Sequence, residues 1–219
     1  MNIVITGAAR GIGLELSKIA LATTDARVLA VARTPSPALK ALADKNLAIA
    51  GAEMTDPKCG DKIAAACADW PHIDVLINNA GMYAKGVSAD DFIESFRVNS
   101  IAPFLITSAL LPKLKKSPAA KVVQITSKMG SIQDNSSGGY EPYRASKAAL
   151  NIINKSLAVD NPWLTTIVMH PGWVRTDMGG SNAPVEPIDS AKGIWKVLQG
   201  LKSGDTGKFF DFRGEHIPW

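Results

Sequence analysis

The chain has 219 residues, of which 46% are hydrophobic and 20% are charged, and its formal net charge is +4 from 24 basic and 20 acidic residues. This length suits one large globular domain, which we expect to cover residues 1–219. The basic residues are scattered along the chain, and their longest run is Lys115-Lys116. Dispersed positive charge does not predict a nucleic-acid interface, so we expect none, but it suits a small anionic cofactor.

The cysteines and histidines do not predict a disulfide or a metal site. Cys59 and Cys67 lie eight residues apart within a predicted helix, so we expect free thiols in a reducing compartment. The three histidines are far apart, and no metal ion is expected. The first residues already read as a strand, and the longest uncharged segment, residues 98–112, is too short to span a bilayer. We therefore expect a cytoplasmic protein without membrane contact.

A glycine-rich turn follows the first predicted strand, residues 3–6, and precedes a helical pattern from Leu14. Glycines let the backbone approach a ligand, and the helix N-terminus favours the negative charge of a phosphate. A plain turn between strand and helix is the alternative, but the spacing Gly-x-x-x-Gly-x-Gly favours a dinucleotide site. Its candidate residues are Gly7, Ala9, Arg10, Gly11, Ile12 and Gly13.

Arg33 stands at the end of the second predicted strand, residues 27–33. In a dinucleotide-binding fold this position faces the adenosine ribose, where a carboxylate would bind the 2′-hydroxyl of NAD. Arg33 and Arg10 together instead predict a 2′-phosphate, and hence NADP(H) in preference to NAD(H). The alternative is that Arg33 is a solvated loop residue.

Asparagines mark two further positions of interest. The fourth predicted strand ends in Asn78-Asn79-Ala80-Gly81, whose amides could tie neighbouring strands together and line a cofactor, although an ordinary turn is the alternative. Asn99 falls on the apolar face of a long predicted helix, where a buried amide needs partners, either backbone groups or a functional water. The elements predicted here are a helix near residues 37–44, a strand over 46–53, a helix near 57–69, a strand over 72–77 and a helix over 89–115 bent around Pro103.

A tyrosine and a lysine share one face of the predicted helix over residues 143–159. Tyr143 and Lys147 are four residues apart, so their side chains lie side by side. A neighbouring ammonium would lower the phenol pKa from its usual value of about 10, and such a phenol can exchange a proton with an alcohol oxygen. Ser127 adds a hydroxyl at the end of the fifth predicted strand, residues 122–127, where parallel sheets hold ligands. The alternative is a chance amphipathic pair.

The remaining elements continue the alternation of strand and helix. A strand over residues 165–170 leads into Pro171-Gly172 and then into a Gly-, Ser- and Pro-rich segment, residues 178–187, which is either a mobile lid or a surface loop. A helix over 188–201 and a strand over 208–212 follow. This alternation predicts an α/β fold with a single Rossmann-type, doubly wound parallel sheet and helices on both faces.

Taken together, these motifs resemble the short-chain dehydrogenase/reductase family over nearly the whole chain. The resemblance implies a catalytic tetrad of Asn99, Ser127, Tyr143 and Lys147. It also implies that the glycine turn, Tyr143 and Lys147 contact the cofactor, together with two further groups of residues. Those groups comprise Glu53, Met54, Asn79, Ala80 and Gly81, and then Pro171, Gly172, Val174 and Thr176 beside the nicotinamide.

Two departures from the family pattern concern the site. The spacing between Ser127 and Tyr143 is sixteen residues where about thirteen is commoner, which leaves Ser131 as a rival. Glu53 stands where the family often has Asp. The short length, Gly138-Gly139-Tyr140 and the ending Ile217-Pro218-Trp219 are similar to a subgroup that contains the C-factor signalling protein and sniffer-type carbonyl reductases.

The resemblance implies hydride transfer from NADPH to a carbonyl carbon, with Tyr143 as proton donor, Ser127 bound to the same oxygen, Lys147 tuning Tyr143 and Asn99 holding a water. The expected partner is a small carbonyl or alcohol in a pocket lined by Tyr83, Met129, Tyr140, Trp173 and Met178, and a homodimer or tetramer is expected. The alternatives are a dinucleotide-binding signalling protein with little turnover and an NAD-linked alcohol dehydrogenase.

Overall fold

A computed structural model of the chain describes residues 1–23, 25–42 and 45–219. Seven strands form one sheet in the order β3-β2-β1-β4-β5-β6-β7, and every neighbouring pair is parallel. The strands are β1 (Asn2–Thr6), β2 (Arg27–Ala32), β3 (Leu47–Gly51), β4 (Val75–Asn78), β5 (Lys121–Ile125), β6 (Thr165–His170) and β7 (Phe209–Asp211). The predicted Rossmann-type fold is therefore confirmed.

Helices cover both faces of this sheet. They are α1 (Gly11–Leu21), α2 (Pro37–Lys40), α3 (Cys59–Ala66), α4 (Ala89–Phe96), α5 (Ala102–Leu114), α6 (Glu141–Asp160) and α7 (Pro187–Gly200). Successive side chains of a strand point to opposite faces, so Ile3 and Ile5 join one core with α1 and α7, while Val4 joins the other with α3 and α5. The central strands β1 and β4 are buried on both faces because helices cover both.

The strand order places β1 beside β4 at the centre of the sheet, where the winding reverses direction. Ligands of doubly wound sheets bind in the crevice outside the carboxyl ends of the strands at such a point. Here the crevice is bordered by the turn that begins at Gly7, after β1, and by Asn78 and Asn79 at the end of β4. The topology therefore brings two of the predicted motifs to one place.

The predicted long helix over residues 89–115 is wrong in its interior. It is divided by a π-helical turn, Arg97–Ile101, and the N–H of Ala102 bonds to the carbonyl of Arg97 five residues back. Pro103 has no N–H to donate to the fourth residue before it, and a proline inside a helix displaces the preceding turn. The disturbance thus lies before Pro103 and contains Asn99, and π turns are frequent at functional sites.

Other boundaries differ by a few residues. The helix predicted near 37–44 is observed only as Pro37–Lys40, and residues 43 and 44 lie outside the described residues. The fourth strand begins at Val75, three residues later than predicted. Helix α6 begins at Glu141, before Tyr143, because Pro142 suits a first helical turn.

The cysteines, the helices and the metal-ligating side chains can be described directly. Cys59 and Cys67 are free and buried, as predicted. Among the described residues, no helix is long and apolar enough to cross a membrane. Within the same part of the chain, no cluster of three metal-ligating side chains occurs.

Candidate functional site

The glycine turn can approach a phosphate because side chains are excluded from it. Gly7 and Gly11 have φ of +67° and +54°, a region that favours glycine. A Cβ on Gly13 would collide with the carbonyl oxygen of Gly7, so α1 packs directly under the turn. The first turn of α1 has neither a side-chain cap nor an acidic residue, which leaves its N–H groups for an anion.

The Asn-rich turn holds β4 against both neighbouring strands. The Asn79 amide donates to the carbonyls of Thr6 at 2.9 Å and Gly7 at 3.2 Å. The Asn78 amide donates to the Gln124 side chain of β5 at 2.9 Å. The predicted strand-tying role of these amides is confirmed, whereas cofactor contact by Asn79, Ala80 and Gly81 stays a prediction.

Thr6 is a member of this turn that was absent from the predicted site. Its hydroxyl accepts from the backbone N–H groups of Asn79 and Ala80, each at 3.0 Å. Its position directly before Gly7 is the signal by which it could have been selected. These bonds connect the turn after β1 to the turn after β4.

The structure brings Ser127, Tyr143 and Lys147 together at the carboxyl end of β5. The hydroxyl of Ser127 faces the Tyr143 phenol. The Lys147 ammonium donates to the carbonyl of Ile125 at 2.8 Å and lies 5.8 Å from the centre of the Tyr143 ring. The hydroxyl of Ser131 instead accepts from the N–H of Asp134 within the following loop. Ser127, not Ser131, therefore faces the phenol.

Burial governs the ionisation of this pair. Burial raises the pKa of Tyr143 to about 12, although the nearby Ser127 hydroxyl opposes the shift. Burial lowers the pKa of Lys147 to about 7. The predicted lowering of the Tyr143 pKa is thus wrong for this structure, because loss of hydration disfavours the phenolate and also favours the neutral amine.

Asn99 is fully buried in the π turn and is bound to two segments of the chain. Its amide nitrogen donates to the carbonyl of Met82 at 2.9 Å and to the Ser146 hydroxyl at 3.0 Å, and its oxygen accepts from the N–H of Met82. Ser146 in turn donates to the carbonyl of Tyr143 at 2.8 Å. Asn99 thus fixes the first turn of α6, and the water it was predicted to hold stays a prediction.

Ser146 was missed by sequence reasoning. It is fully buried between Tyr143 and Lys147 on α6, and a small hydroxyl residue there looks like an ordinary helical position. Only the observed contact with Asn99 distinguishes it.

The two arginines predicted to face the 2′-phosphate have separate carboxylate partners. Arg33 lies 3.5 Å from Glu53, and Arg10 lies 3.2 Å from Asp177, with arginine side chains 76% and 78% exposed. Exposed pairs of this kind contribute little stability, so a phosphate dianion can replace either carboxylate. Met54, beside Glu53, packs against the core on the α3 and α5 side.

The segment after β6 folds back over the glycine turn. A Cβ on Gly11 would lie 3.1 Å from the side chain of Thr176. Val174 forms a bridge with Val185, and Gly172 adopts φ of +88° beside the ring of Phe212. Pro171 to Thr176 therefore border the same crevice as the glycine turn.

The sequence of this chain matches the sequence model of one protein family. The sequence model of the family described as short chain dehydrogenase matches residues 1–186. The chain belongs to that family, which makes it an NAD(P)-dependent oxidoreductase.

Three individual proteins are similar to this chain, one compared by sequence and two by structure. The C-signal protein of Myxococcus xanthus is 42% identical over 154 residues, covering 67% of this chain and 93% of that protein. The NADPH-bound carbonyl reductase from chicken fatty liver is 33% identical with a TM-score of 0.91, covering 100% of this chain and 98% of that one. The carbonyl reductase Sniffer of D. melanogaster is also 33% identical with a TM-score of 0.91, covering 100% and 99%. The predicted resemblance to the C-factor and sniffer-type subgroup is confirmed.

Replacement of Lys147 by Met should stabilise the nucleotide-free protein at low pH. The folded pKa of Lys147 is about 7 and its ordinary value is 10.5, so below pH 7 folding must bury the charge. That penalty disappears as pH rises from 7 to 10.5, because the unfolded chain binds the additional proton in this window. Urea unfolding should show a gain on the order of 2 kcal/mol at pH 6 that shrinks towards pH 10. A gain that does not change with pH would contradict the assigned shift.

Proposed function

We propose that this protein is an NADP(H)-dependent carbonyl reductase that converts an aldehyde, ketone or quinone into an alcohol. The observation that carries the proposal is that the Ser127 hydroxyl and the Tyr143 phenol lie together beside the buried amine of Lys147. These groups lie at the carboxyl ends of the strands, beside a glycine turn whose missing side chains and uncapped helix suit a pyrophosphate.

Each residue of the site has a role in this reaction. NADPH, when bound, supplies the hydride that reduces the carbonyl carbon. Tyr143 gives its proton to the carbonyl oxygen as negative charge develops there, and Ser127 donates a hydrogen bond to the same oxygen. Lys147 would bind the nicotinamide ribose and would return to Tyr143 a proton taken up from solvent. Asn99 holds the first turn of α6, and a water on its oxygen would connect Lys147 to solvent.

Residues bordering the crevice would hold the cofactor. The pyrophosphate would lie on Gly7, Ala9, Arg10, Gly11, Ile12 and Gly13, and the adenosine between Arg33, Glu53 and Met54. Asn79, Ala80 and Gly81 would line its centre, and Pro171, Gly172, Val174 and Thr176 the nicotinamide. NADPH is bound in the chicken carbonyl reductase, which supports the preference for NADP(H).

A signalling protein that binds a dinucleotide with little turnover is the second candidate. It is favoured by the 42% identity with C-signal over 67% of this chain. The first candidate is preferred because Ser127, Tyr143 and Lys147 are assembled at the carboxyl end of one strand, which binding alone does not require. The cytoplasmic location and the single domain over residues 1–219 remain predictions of the sequence.

Tyr143→Phe should abolish carbonyl-dependent oxidation of NADPH while the affinity for NADPH changes by less than about three-fold, because only the acidic hydroxyl is removed. Stopped-flow absorbance of the nicotinamide and titration of tryptophan fluorescence measure the two quantities. Turnover by this variant at the wild-type rate would disprove the assignment. NADPH binding without oxidation of any carbonyl by the wild type would favour the second candidate.

The paired variants Ser127→Ala and Ser131→Ala provide the matched test of the serine. Ser127→Ala should lower kcat by about 10²-fold, a usual cost for one donor to a developing oxyanion. Ser131→Ala should retain kcat within about three-fold, because its hydroxyl bonds only to the loop. The reverse ranking would transfer the role to Ser131.

Arg33→Asp should shift cofactor preference from NADPH towards NADH. A carboxylate at the end of β2 repels the 2′-phosphate and accepts from a free 2′-hydroxyl. The ratio of kcat/KM for NADPH to that for NADH should fall by about 10- to 150-fold, given that hydrogen bonds to charged groups contribute roughly 1.5–3 kcal/mol. Arg27→Asp, at the opposite end of β2, is the control and should leave the ratio unchanged. An unchanged ratio in Arg33→Asp would remove Arg33 from the cofactor site.

We also propose that the protein is a homo-oligomer that pairs through α5 and α6. Phe104 and Ile152 on these helices are 42% and 63% exposed, which is unusual for large apolar side chains on adjoining faces. Ile152→Asp should shift the protein to a smaller species in sedimentation velocity. Val87→Asp, at a residue 67% exposed but distant from α5 and α6 in sequence, should not. A wild-type monomer would contradict this assembly.

A further inference from the structure

A short segment, here called the strap, lies at the N-terminus of α6, beside the catalytic phenol. The strap, residues 137–140, ends at Tyr140, whose carbonyl accepts from the N–H of Arg144 at 2.9 Å. Gly138, Gly139 and Tyr140 have φ of +64°, +67° and +58°, so three consecutive residues are left-handed. Glycine adopts this conformation freely, whereas a tyrosine there is strained and must be held by its surroundings. Among the described residues, Asp25 is the only other non-glycine residue with positive φ.

One guanidinium holds the strap in place. Arg144 directly follows Tyr143 on α6, and its Nε donates to the carbonyl of Gly139 at 2.8 Å and approaches that of Gly138 at 3.3 Å. Its Nη2 donates to the hydroxyl of Ser137 at 2.9 Å, and its Nη1 approaches the carbonyl of Met129 at 3.3 Å. Arg144 therefore joins the strap to the turn after Ser127 through contacts of one side chain.

The held conformation aligns three aromatic rings. The rings of Tyr140 and Tyr83 have centroids 5.5 Å apart, and the ring of Tyr83 meets that of Tyr143 edge to face at 4.9 Å. Tyr140 is 53% exposed, so the row runs from the buried catalytic phenol to an open aromatic surface. A planar substrate whose carbonyl reaches Tyr143 would lie beside this surface.

We propose that Tyr140 determines the preference of the enzyme for aromatic over aliphatic carbonyls, and that Arg144 is the positioning residue that holds Tyr140 for this contact. The inference rests on the proposed function, which supplies the reacting carbonyl. A purely structural Arg144 would stabilise α6 without affecting the choice between substrates that share one reacting group. The structural and the positioning role of Arg144 therefore predict different effects on the ratio of kcat/KM for an aromatic substrate to that for an aliphatic one.

The test compares 4-nitrobenzaldehyde with propanal, which present the same aldehyde on an aromatic and on an aliphatic body. The ratio of their kcat/KM values is measured with NADPH for the wild type and four single variants. Tyr140→Asn removes the ring but tolerates the left-handed backbone, and should lower the ratio three- to ten-fold, the usual range for an aromatic contact. Tyr140→Phe keeps the ring and should change it by less than two-fold.

Arg144→Lys keeps the charge but loses the fork that reaches several acceptors, so the ratio should fall as in Tyr140→Asn. The double variant should be no worse than either single variant, because Arg144 acts through Tyr140. Arg27→Lys, at the far end of β2, is the matched control and should leave the ratio unchanged. Ratios within two-fold of the wild type in Tyr140→Asn, or losses that multiply in the double variant, would overturn the inference.

A second readout separates this inference from the proposed function. Calorimetry measures the affinity of 4-nitrobenzaldehyde for the complex with NADP⁺, in which no hydride is available. Tyr140→Asn and Arg144→Lys should each weaken this affinity three- to ten-fold, whether or not the wild type turns over. Absence of turnover with intact wild-type affinity would disprove the proposed function alone. Equal affinity in the wild type and Tyr140→Asn, or no binding to the wild type, would disprove the role of Tyr140.

Discussion

The buried amine of Lys147 is the constraint on which the architecture of the site depends. It donates to the carbonyl of Ile125, and this bond fixes α6 at the carboxyl end of β5. Such a close approach is possible because Gly130 has no side chain, since a Cβ there would lie 2.9 Å from Lys147. The depressed pKa of Lys147 shows that the helix is held there against the hydration of the amine.

Polar contacts offset this cost along the buried face of α6. Asn151 accepts from the hydroxyl of Thr126 at 2.7 Å and donates to the carbonyl of Gly130. Asn154 accepts from Thr166 in β6. A buried network of this kind specifies one register between helix and sheet, because a shift of one residue would leave several groups unpaired. The same register places Tyr143 against Ser127.

Local sequence was sufficient for the parts of the site that depend on backbone geometry. The glycines before α1 and the amides after β4 could be recognised because each is required by a turn at a strand end. Tyr143 and Lys147 could be paired from helical spacing alone. These predictions require only the helical period and the alternation of strands and helices, and both are visible in the sequence motifs.

Features that depend on packing between distant segments could not be predicted in this way. The choice between Ser127 and Ser131 depends on a three-residue 3₁₀ turn that directs one hydroxyl to Tyr143 and the other into the loop. The prediction that Lys147 lowers the pKa of Tyr143 was wrong, because helical spacing identifies the neighbouring residue but not how deeply the pair is buried. Burial raises the pKa of Tyr143 and also favours the neutral amine of Lys147. The π turn around Asn99 likewise results from Pro103 and from the contact with Met82.

The charged groups around the crevice are exposed to solvent, whereas the ionisable groups inside it are buried. Arg10 and Arg33 lie at the surface in ion pairs with Asp177 and Glu53, where solvent weakens the attraction. Because Arg10 belongs to the glycine turn and Asp177 to the segment after β6, their pair links these two borders of the crevice. A dianionic phosphate competes better for both guanidinium groups than a single carboxylate does. The interior of the site is thus fixed by buried neutral contacts, while its rim is held by contacts that an anionic cofactor can exchange for its own.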